Sequence, residues 1–426
     1  GGVDPERAQK RLSACEKESG LTLDTQQREA VLKAATGGIT LITGGPGTGK
    51  TTCIRTLLAL AGEGAVLCAP TGRAAKRMQE ATGEDAKTIH RLLEYAGDAE
   101  RFSRDENNPI DAELVIVDEA SMIDLFLMRA LLRALPPKAR LVLVGDKDQL
   151  PSVGAGNVLG DLIASGVPPV VFLTEIYRQE QKSMIVVGAH RINHGEMPVL
   201  NGPDTDFFFQ RAETPEQAAQ VIAALVKTRL PKYLGVDALR GIQVLSPMKK
   251  GEAGVWALNR LLQDTLNPAA PRKAETRFGE GVLREGDKVM QMRNNYDLEW
   301  TRDGETGTGA FNGDIGFVTD IDDEAGTTEV TFDDERVALY EEAGLADLEL
   351  AYCVSVHKSQ GSEFDAVVLP LTGGPPMLLT RNLLYTAVTR ARRLAVIVGR
   401  ERCIRQMVEN DHVALRYSAL AQRLSP

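Results

Sequence analysis

The five cysteines, Cys15, Cys53, Cys68, Cys353 and Cys403, are odd in number, far apart and never form a C-x-x-C pair. That argues against a disulfide framework and against a zinc ribbon. Packing is the role left to them, as for most free thiols, and a reducing, cytoplasmic compartment is expected. Histidine is equally scarce. His190 and His194 stand four apart, but neither an H-E-x-x-H pattern nor a third ligand accompanies them, so they read as helix surface. No apolar run approaches the roughly 18 residues that a membrane helix needs, and no signal-peptide pattern opens the chain. An initial methionine is also missing; the chain begins Gly1-Gly2, which reads as a trimmed piece of a longer protein. Basic charge is not in excess: Lys plus Arg is 49 and Asp plus Glu is 59, a net charge of −10. That balance speaks against a nonspecific nucleic-acid coat protein.

The acidic charge is local. Residues 281–350 hold 19 acidic and 5 basic residues, whereas the rest of the chain has 44 basic against 40 acidic. With 426 residues, 43% of them hydrophobic, the chain is long enough for two or three domains and ordinary enough in composition to be globular. Short, continuous apolar runs at 39–43, 65–69, 114–117, 141–144 and 170–173 read as strands of a parallel sheet covered on both faces. A second set at 242–245, 353–356, 366–369 and 395–398 predicts a second α/β domain. Between them, glycines punctuate short alternating runs such as 315–321 and 329–332, as in a small inserted β-barrel. The expected layout is a helical stub over 1–20, a first domain over 21–189 with a polar insertion at 94–111, a second domain over 190–281 and 351–426, and the inserted barrel over 282–350.

Residues 44–51, GGPGTGKT, match G-x-x-x-x-G-K-[ST] between a predicted strand and a predicted helix, which is the context this phosphate-binding motif requires. Gly45, Gly47 and Gly49, with Pro46 and Thr48 between them, let backbone N–H groups turn inward around phosphate oxygens. The helix start at Lys50, Thr51 and Thr52 adds its positive dipole end. Lys50 is expected on the β and γ phosphates of ATP and Thr51 on Mg²⁺. The segment LVIVDEAS at 114–121 supplies the second half of a nucleotide triphosphatase: Asp118 for Mg²⁺ through water, and Glu119 to polarise the attacking water.

Further blocks make a family match. LVLVGDKDQLPSVGAG (141–156) resembles the third motif of superfamily 1 helicases, VHKSQGSEFD (356–365) their fifth and LLYTAVTRAR (383–392) their sixth. LDTQQREAV (23–31) resembles their adenine-reading glutamine motif, CAPTGRAAKRM (68–78) their DNA-contacting motif and LTEIYRQ (173–179) their fourth. With GGPGTGK, TIHRLL and VHKSQGSE, the set is similar to the RecD-like branch, whose members move 5′ to 3′ on single-stranded DNA. The resemblance implies an α/β fold of two RecA-like P-loop domains, with a β-hairpin insertion in the first and an SH3-like β-barrel insertion in the second. FNGDIGFV (311–318) is the most recognisable piece of that barrel. It further implies a monomeric, ATP- and Mg²⁺-dependent motor on single-stranded and tailed duplex DNA, in repair or recombination.

Position by position, the resemblance assigns Gln27 to the adenine edge, Gln149 to sensing the γ-phosphate, and Arg178 and Arg390 to that phosphate from different sides. Gly361 and Glu363 would meet the ribose. Pro70, Thr71, Thr88, His90, His357 and Ser359 would line the DNA path, where short donors grip phosphates without a large basic patch. Thr88 and His90 can equally cap and pack the helix that follows. The 94–111 insertion occupies the place of a pin that splits the duplex, with Phe102 near its tip; an ordinary surface loop stays open as the alternative. Two other functions also stay open: an ATP-gated clamp without strand separation, and an RNA-directed member of the superfamily.

Overall fold

A computed structural model describes residues 4–96, 101–177, 180–412, 416 and 418–424. The chain divides into two compact units. The first runs to Lys182 and takes back the residues after His412; the second is Ser183–His412.

In the first unit the strands are β1 (Ile39–Gly44), β2 (Ala65–Ala69), β3 (Ala86–Thr88), β4 (Tyr95–Ala96), β5 (Arg101–Phe102), β6 (Leu114–Val117), β7 (Arg140–Gly145) and β8 (Val170–Leu173). Six of them form a parallel sheet in the order β3-β2-β6-β7-β1-β8. Both faces are covered, which is why these strands read as unbroken apolar runs. Ile42, Val144, Ile116 and Leu67 pack on one side with Val31, Ile54 and Leu57. Leu41, Leu143, Val115 and Cys68 pack on the other with Leu127, Leu131 and Leu159. All five cysteines are free, and burial pushes the Cys53 and Cys68 thiols up to about 12, so they pack as protonated, inert groups.

The unit boundary falls earlier than the expected 189/190. Ser183 caps the helix Met184–Asn193 and donates to Asp206 Oδ2 at 2.6 Å, which commits that helix to the second unit. The C-terminal residues also differ from the expected layout. Arg416 donates to the carbonyls of Gly154 and Gly156 at 2.6 and 3.1 Å, and Leu420 packs on the first unit's core. The expected stub is the helix Pro5–Ser19; it buries Ala8 and Leu12 against the first unit, and its Arg11 donates to the Leu60 carbonyl at 2.6 Å.

Strands β9 (Phe207–Arg211), β10 (Ile242–Ser246), β20 (Cys353–Ser355), β21 (Phe364–Leu371) and β22 (Ala391–Gly399) form the second unit's parallel sheet, in the order β20-β10-β21-β22-β9. Between β10 and β20 lie the hairpin β11 (Glu275–Phe278) and β12 (Gly281–Arg284), then β13 (Lys288–Gln291), β14 (Asn295–Arg302), β15 (Glu305–Ala310), β16 (Ile315–Asp322), β17 (Thr327–Phe332), β18 (Val337–Glu341) and β19 (Leu348–Leu350). The last seven form one antiparallel sheet around a core that includes Val289, Val318, Val330, Phe332 and Tyr340. Among the described residues, no helix is long and apolar enough to cross a membrane.

One buried carboxylate fastens this insertion to its unit. Asp287, fully buried, accepts from Gln263 Nε2 at 2.6 Å and from Asn267 Nδ2, the Tyr352 hydroxyl and the Arg284 backbone N–H at 2.7 Å each. Gln263 belongs to the helix Val255–Leu266 before the insertion and Tyr352 follows it, so the entrance and exit of the sheet close on one side chain. Asp287→Ala strands four donors and is expected to cost about 3 kcal/mol or more, while Asp287→Asn, which keeps an acceptor oxygen, costs less. Denaturant midpoints of the two variants check the order.

Candidate phosphate and nucleic-acid site

The phosphate loop drops from β1 into the helix Lys50–Ala61 through Gly47 (φ 71°) and Gly49 (φ 81°), both in the left-handed region that glycine enters at no steric cost. A Cβ on Gly49 would collide with Gln27 Nε2 and stand 2.7 Å from a Tyr177 ring carbon, so the position has no room for a side chain. Thr48, buried, donates to the Gly45 carbonyl at 2.8 Å and holds the turn. Lys50 Nζ lies folded over the loop, donating to the carbonyls of Gly44 and Gly45 at 2.7 and 2.8 Å. Its ammonium thus sits over the concavity where phosphate oxygens are stronger acceptors than carbonyls. Thr51 and Thr52 are half-buried in the first turn of that helix.

Gln27 connects the glutamine motif to this loop. Its Oε1 accepts from the Asp24 backbone at 3.2 Å, completing a capping box with Asp24 Oδ1, and its Nε2 donates to the Gly49 carbonyl at 3.3 Å. Both ends of the amide are therefore engaged within the protein. Tyr177 shares the neighbourhood: its hydroxyl donates to Asp24 Oδ2 at 2.7 Å and its backbone N–H to the Gly47 carbonyl at 3.3 Å. Burial, then the Asp24 carboxylate, raises this phenol, so it stays protonated and neutral beside the loop. Sequence reasoning passed over Tyr177 although it adjoins Arg178. The expected position of Arg178 lies outside the described residues.

Asp118 and Glu119 stand at the end of β6, two strands from β1 in the sheet. Both are buried, and Glu119 takes a left-handed backbone, φ 53°, a conformation that costs a non-glycine residue of order 1 kcal/mol and is retained where the site requires it. β7 presses close behind this turn: a Cβ on Gly145 would lie 3.2 Å from the Ala120 and Ser121 nitrogens. Burial first, and the adjacent Glu119 second, raise the Asp118 carboxyl above its usual range. A buried anion of this kind is relieved by a hard cation with oxygen ligands, the chemistry of Mg²⁺. The helix Gly72–Thr82 supplies a residue that sequence reasoning missed: Arg77 Nη2 pairs with Glu119 Oε1 and stands 3.5 Å from Asp118 Oδ2. Gln149 follows β7, and its buried Oε1 has no hydrogen-bond partner among the described residues. Such an acceptor costs about 1 to 3 kcal/mol when left unmade, which fits a side chain whose partner is a bound group.

In the second unit, Arg390 is 2% exposed and its guanidinium donates to the carbonyls of Thr386 and Ser362 at 3.2 and 3.1 Å and to Thr389 Oγ1 at 3.4 Å. Gly361 (φ 73°) makes the turn before Glu363, which is half-buried.

The residues expected along DNA separate. Pro70 and Thr71 are half-buried at the start of the Arg77 helix, where Thr71 Oγ1 accepts from the Ala74 N–H at 3.2 Å. His357 is exposed. Thr88 caps the helix Ile89–Leu92, accepting from the Arg91 N–H at 3.1 Å, and His90 packs edge-on to Tyr95 and beside Phe102, with burial lowering its pKa. For these two the local geometry is the capping and packing alternative. Ser359 is fully buried and donates to the Val356 carbonyl at 2.7 Å, so the structure does not bring it to a surface that could meet a strand. Phe102 is not at a tip either. It pairs in register with Tyr95, ring centroids 5.0 Å apart, and packs on the first unit's core at the base of the β4–β5 hairpin. An aromatic beside an apolar core is buried there, and the residues between the two strands, 97–100, lie outside the described set.

Comparison with known proteins agrees with this arrangement. Residues 27–155 match the AAA domain family, 258–332 the SH3 domain of ATP-dependent RecD-like DNA helicases, and 350–398 the UvrD-like helicase C-terminal domain. A Pif1 helicase from Bacteroides, solved with ADP-AlF3 and ssDNA, shares the fold at a TM-score of 0.54 and 19% identity, over 95% of this chain and 97% of that one. The ATP-dependent RecD2 DNA helicase of Deinococcus radiodurans is 40% identical over 89% of this chain, which spans 49% of that protein's length. The RecBCD enzyme subunit RecD of Mycolicibacterium smegmatis is 34% identical over 94% of this chain and 75% of its own. Similarity of that depth across three quarters of a RecD subunit places this chain in the RecD-like family of superfamily 1 helicases.

Proposed function

We propose that this chain is the motor of an ATP-driven helicase that travels 5′ to 3′ on single-stranded DNA and separates tailed duplexes, in DNA repair or recombination. The observation that carries the reading is the buried Asp118–Glu119 pair at the end of a strand in the same parallel sheet as the glycine loop, within a chain of this family. Lys50 exchanges two loop carbonyls for the β and γ phosphates of ATP, and the N–H groups of residues 45 and 47–52 bind the remaining oxygens. Thr51 and Asp118 would hold Mg²⁺, which when bound neutralises phosphate charge. Glu119 takes the proton of the attacking water. Gln149 reports the γ-phosphate through its unmatched Oε1, Arg178 and Arg390 spread over the charge that develops in transfer, Gln27 reads the adenine edge, and Gly361 and Glu363 meet the ribose. Pro70, Thr71 and His357 supply contacts to the strand.

Unwinding of duplexes with only one tail tests polarity: 5′-tailed substrates should open and 3′-tailed ones should not, and the reverse result overturns the direction. Stimulation of turnover by poly(dT) over poly(U) separates DNA from RNA, and ATP turnover without strand separation would favour a clamp. Lys50→Ala is expected to abolish turnover. Glu119→Gln should bind ATP and DNA but lose about 10² or more in kcat, the usual contribution of a positioned base.

The raised Asp118 carboxyl gives a stability signature. Between its usual range and its raised value the folded protein binds more protons than the unfolded chain, so this group's contribution to stability falls as pH rises through that window. Asp118→Asn should therefore melt higher than the parent at pH 8 without nucleotide or metal, with the difference shrinking on acidification, while ATP turnover is lost.

The hairpin gives a separation of functions. Replacing residues 97–100 by Asn-Gly keeps the Tyr95–Phe102 pairing and the Arg104–Glu94 ion pair at its base, because two-residue loops of that composition suit antiparallel strands. DNA-stimulated ATPase should survive and strand separation should fall. Undiminished unwinding would make the insertion an ordinary surface loop.

A further inference from the structure

Glu119 is assigned above as the base that takes a proton from water, yet one of its carboxylate oxygens is held by a guanidinium. Arg77 Nη2 pairs with Glu119 Oε1 and reaches Asp118 Oδ2 at 3.5 Å, so one guanidinium bridges two adjacent buried carboxylates. A carboxylate that accepts a charge-assisted hydrogen bond is a weaker base, and the oxygen so engaged points at the arginine instead of at water. The pair as it stands therefore restrains proton abstraction.

The position of Arg77 in the chain says what could release it. It sits midway along the helix Gly72–Thr82, whose cap is Thr71 and whose entry is Pro70. Both belong to the segment assigned to the strand. The helix rests on the sheet through Ala74 and Ala75, with Met78 the large side chain inserted beneath it. Small side chains interlock little, so a displacement at the capped end reaches Arg77, two turns at most along a rigid element, with Met78 the large side chain that must shift. The Arg77 side chain is 22% exposed, against 9% for Glu119, so the guanidinium can leave the pair toward water, whereas the carboxylate cannot.

We propose that Arg77 is a positioning residue that holds Glu119 away from hydrolysis until single-stranded nucleic acid engages the Pro70–Thr71 end of its helix. The coupling of ATP turnover to the presence of a strand then lies in one ion pair. This inference rests on the assignment of Glu119 as base, and the experiment separates the two.

Steady-state ATP turnover is measured with and without saturating oligo(dT) for the parent, Arg77→Ala, Arg77→Gln, Arg77→Lys and Glu119→Gln. Arg77→Ala should raise the DNA-free kcat by about tenfold or more, the rate equivalent of one charge-assisted hydrogen bond. The KM for ATP should change little, and the stimulation by oligo(dT) should shrink toward none. Arg77→Gln, which keeps the polar stem and loses the charge, should do the same and decides the matter if the alanine variant does not fold. Arg77→Lys, able to pair again, should restore part of the stimulation. Equal loss of turnover with and without oligo(dT) in both neutral variants, leaving the stimulation ratio unchanged, overturns the proposal. Retention of DNA-stimulated turnover by Glu119→Gln overturns the assignment of the base itself, whatever the arginine variants do.

Discussion

The backbone between β1 and the helix Lys50–Ala61 has to reverse its hand within five residues, and the arrangement of the first unit follows from that constraint. Gly47 and Gly49 adopt the left-handed region, and the space a side chain would fill at Gly49 is already taken by Gln27 and Tyr177. Gly44 is equally confined, since a Cβ there would meet Thr48 Oγ1 at 2.5 Å and the Leu173 carbonyl at 2.8 Å. The loop is thus packed from outside by two separate segments of chain while its inner wall is left to backbone N–H groups. Anion binding requires such a shape, because N–H groups already fixed in place lose little on meeting a phosphate.

Buried charge is treated in two ways. In the insertion, Asp314 and Arg336 pair at 2.8 Å; Arg336 also donates to the Gly309 carbonyl and to Asp334 at 2.6 Å each, and Asp314 accepts from the Phe311 N–H at 2.9 Å. Asp287 has four donors. These groups are saturated and hold sheets and turns in place. At the phosphate site the pattern is different: Gln149 Oε1 has no protein partner among the described residues, and Lys50 rests on carbonyls. Among the described residues, unmatched buried polar atoms occur at Gln149 and Ser121 beside the site, and also in the scaffold at Gln243 Oε1 and Trp300 Nε1, whereas Asp287 and Arg336 are well supplied with partners.

What the sequence disclosed divides along the same line. Parallel strands such as β6 and β7 were legible because burial on both faces turns them into unbroken apolar runs, and the glycine loop was legible because its chemistry is contiguous. β3 and β9 were not: β3 has three residues, and Phe207–Arg211 ends in exposed polar side chains at a sheet edge. Arg77 and Tyr177 were hidden for another reason. Arg77 meets Glu119 across 42 residues of chain and Tyr177 meets Asp24 across 153, and no local spacing signals either encounter. Phe102 was misplaced because an aromatic in a polar insertion suggests an exposed tip, whereas its register with Tyr95 turns it onto the core.

Arg390, proposed to meet the phosphate, is buried in this structure. Its guanidinium is satisfied by two carbonyls and a hydroxyl. Had it been paired with an aspartate, leaving would strand a buried anion, at a cost of several kcal/mol. Leaving neutral acceptors strands only dipoles, and a polyanionic phosphate offers charge-assisted bonds about twice as strong as the ones given up. Arg77 sits at the opposite extreme, paired with carboxylates that its departure would expose to each other. An arginine to be drawn out by phosphate is best stored on carbonyls, and one to restrain a carboxylate is best stored on it, which are the roles proposed for Arg390 and Arg77.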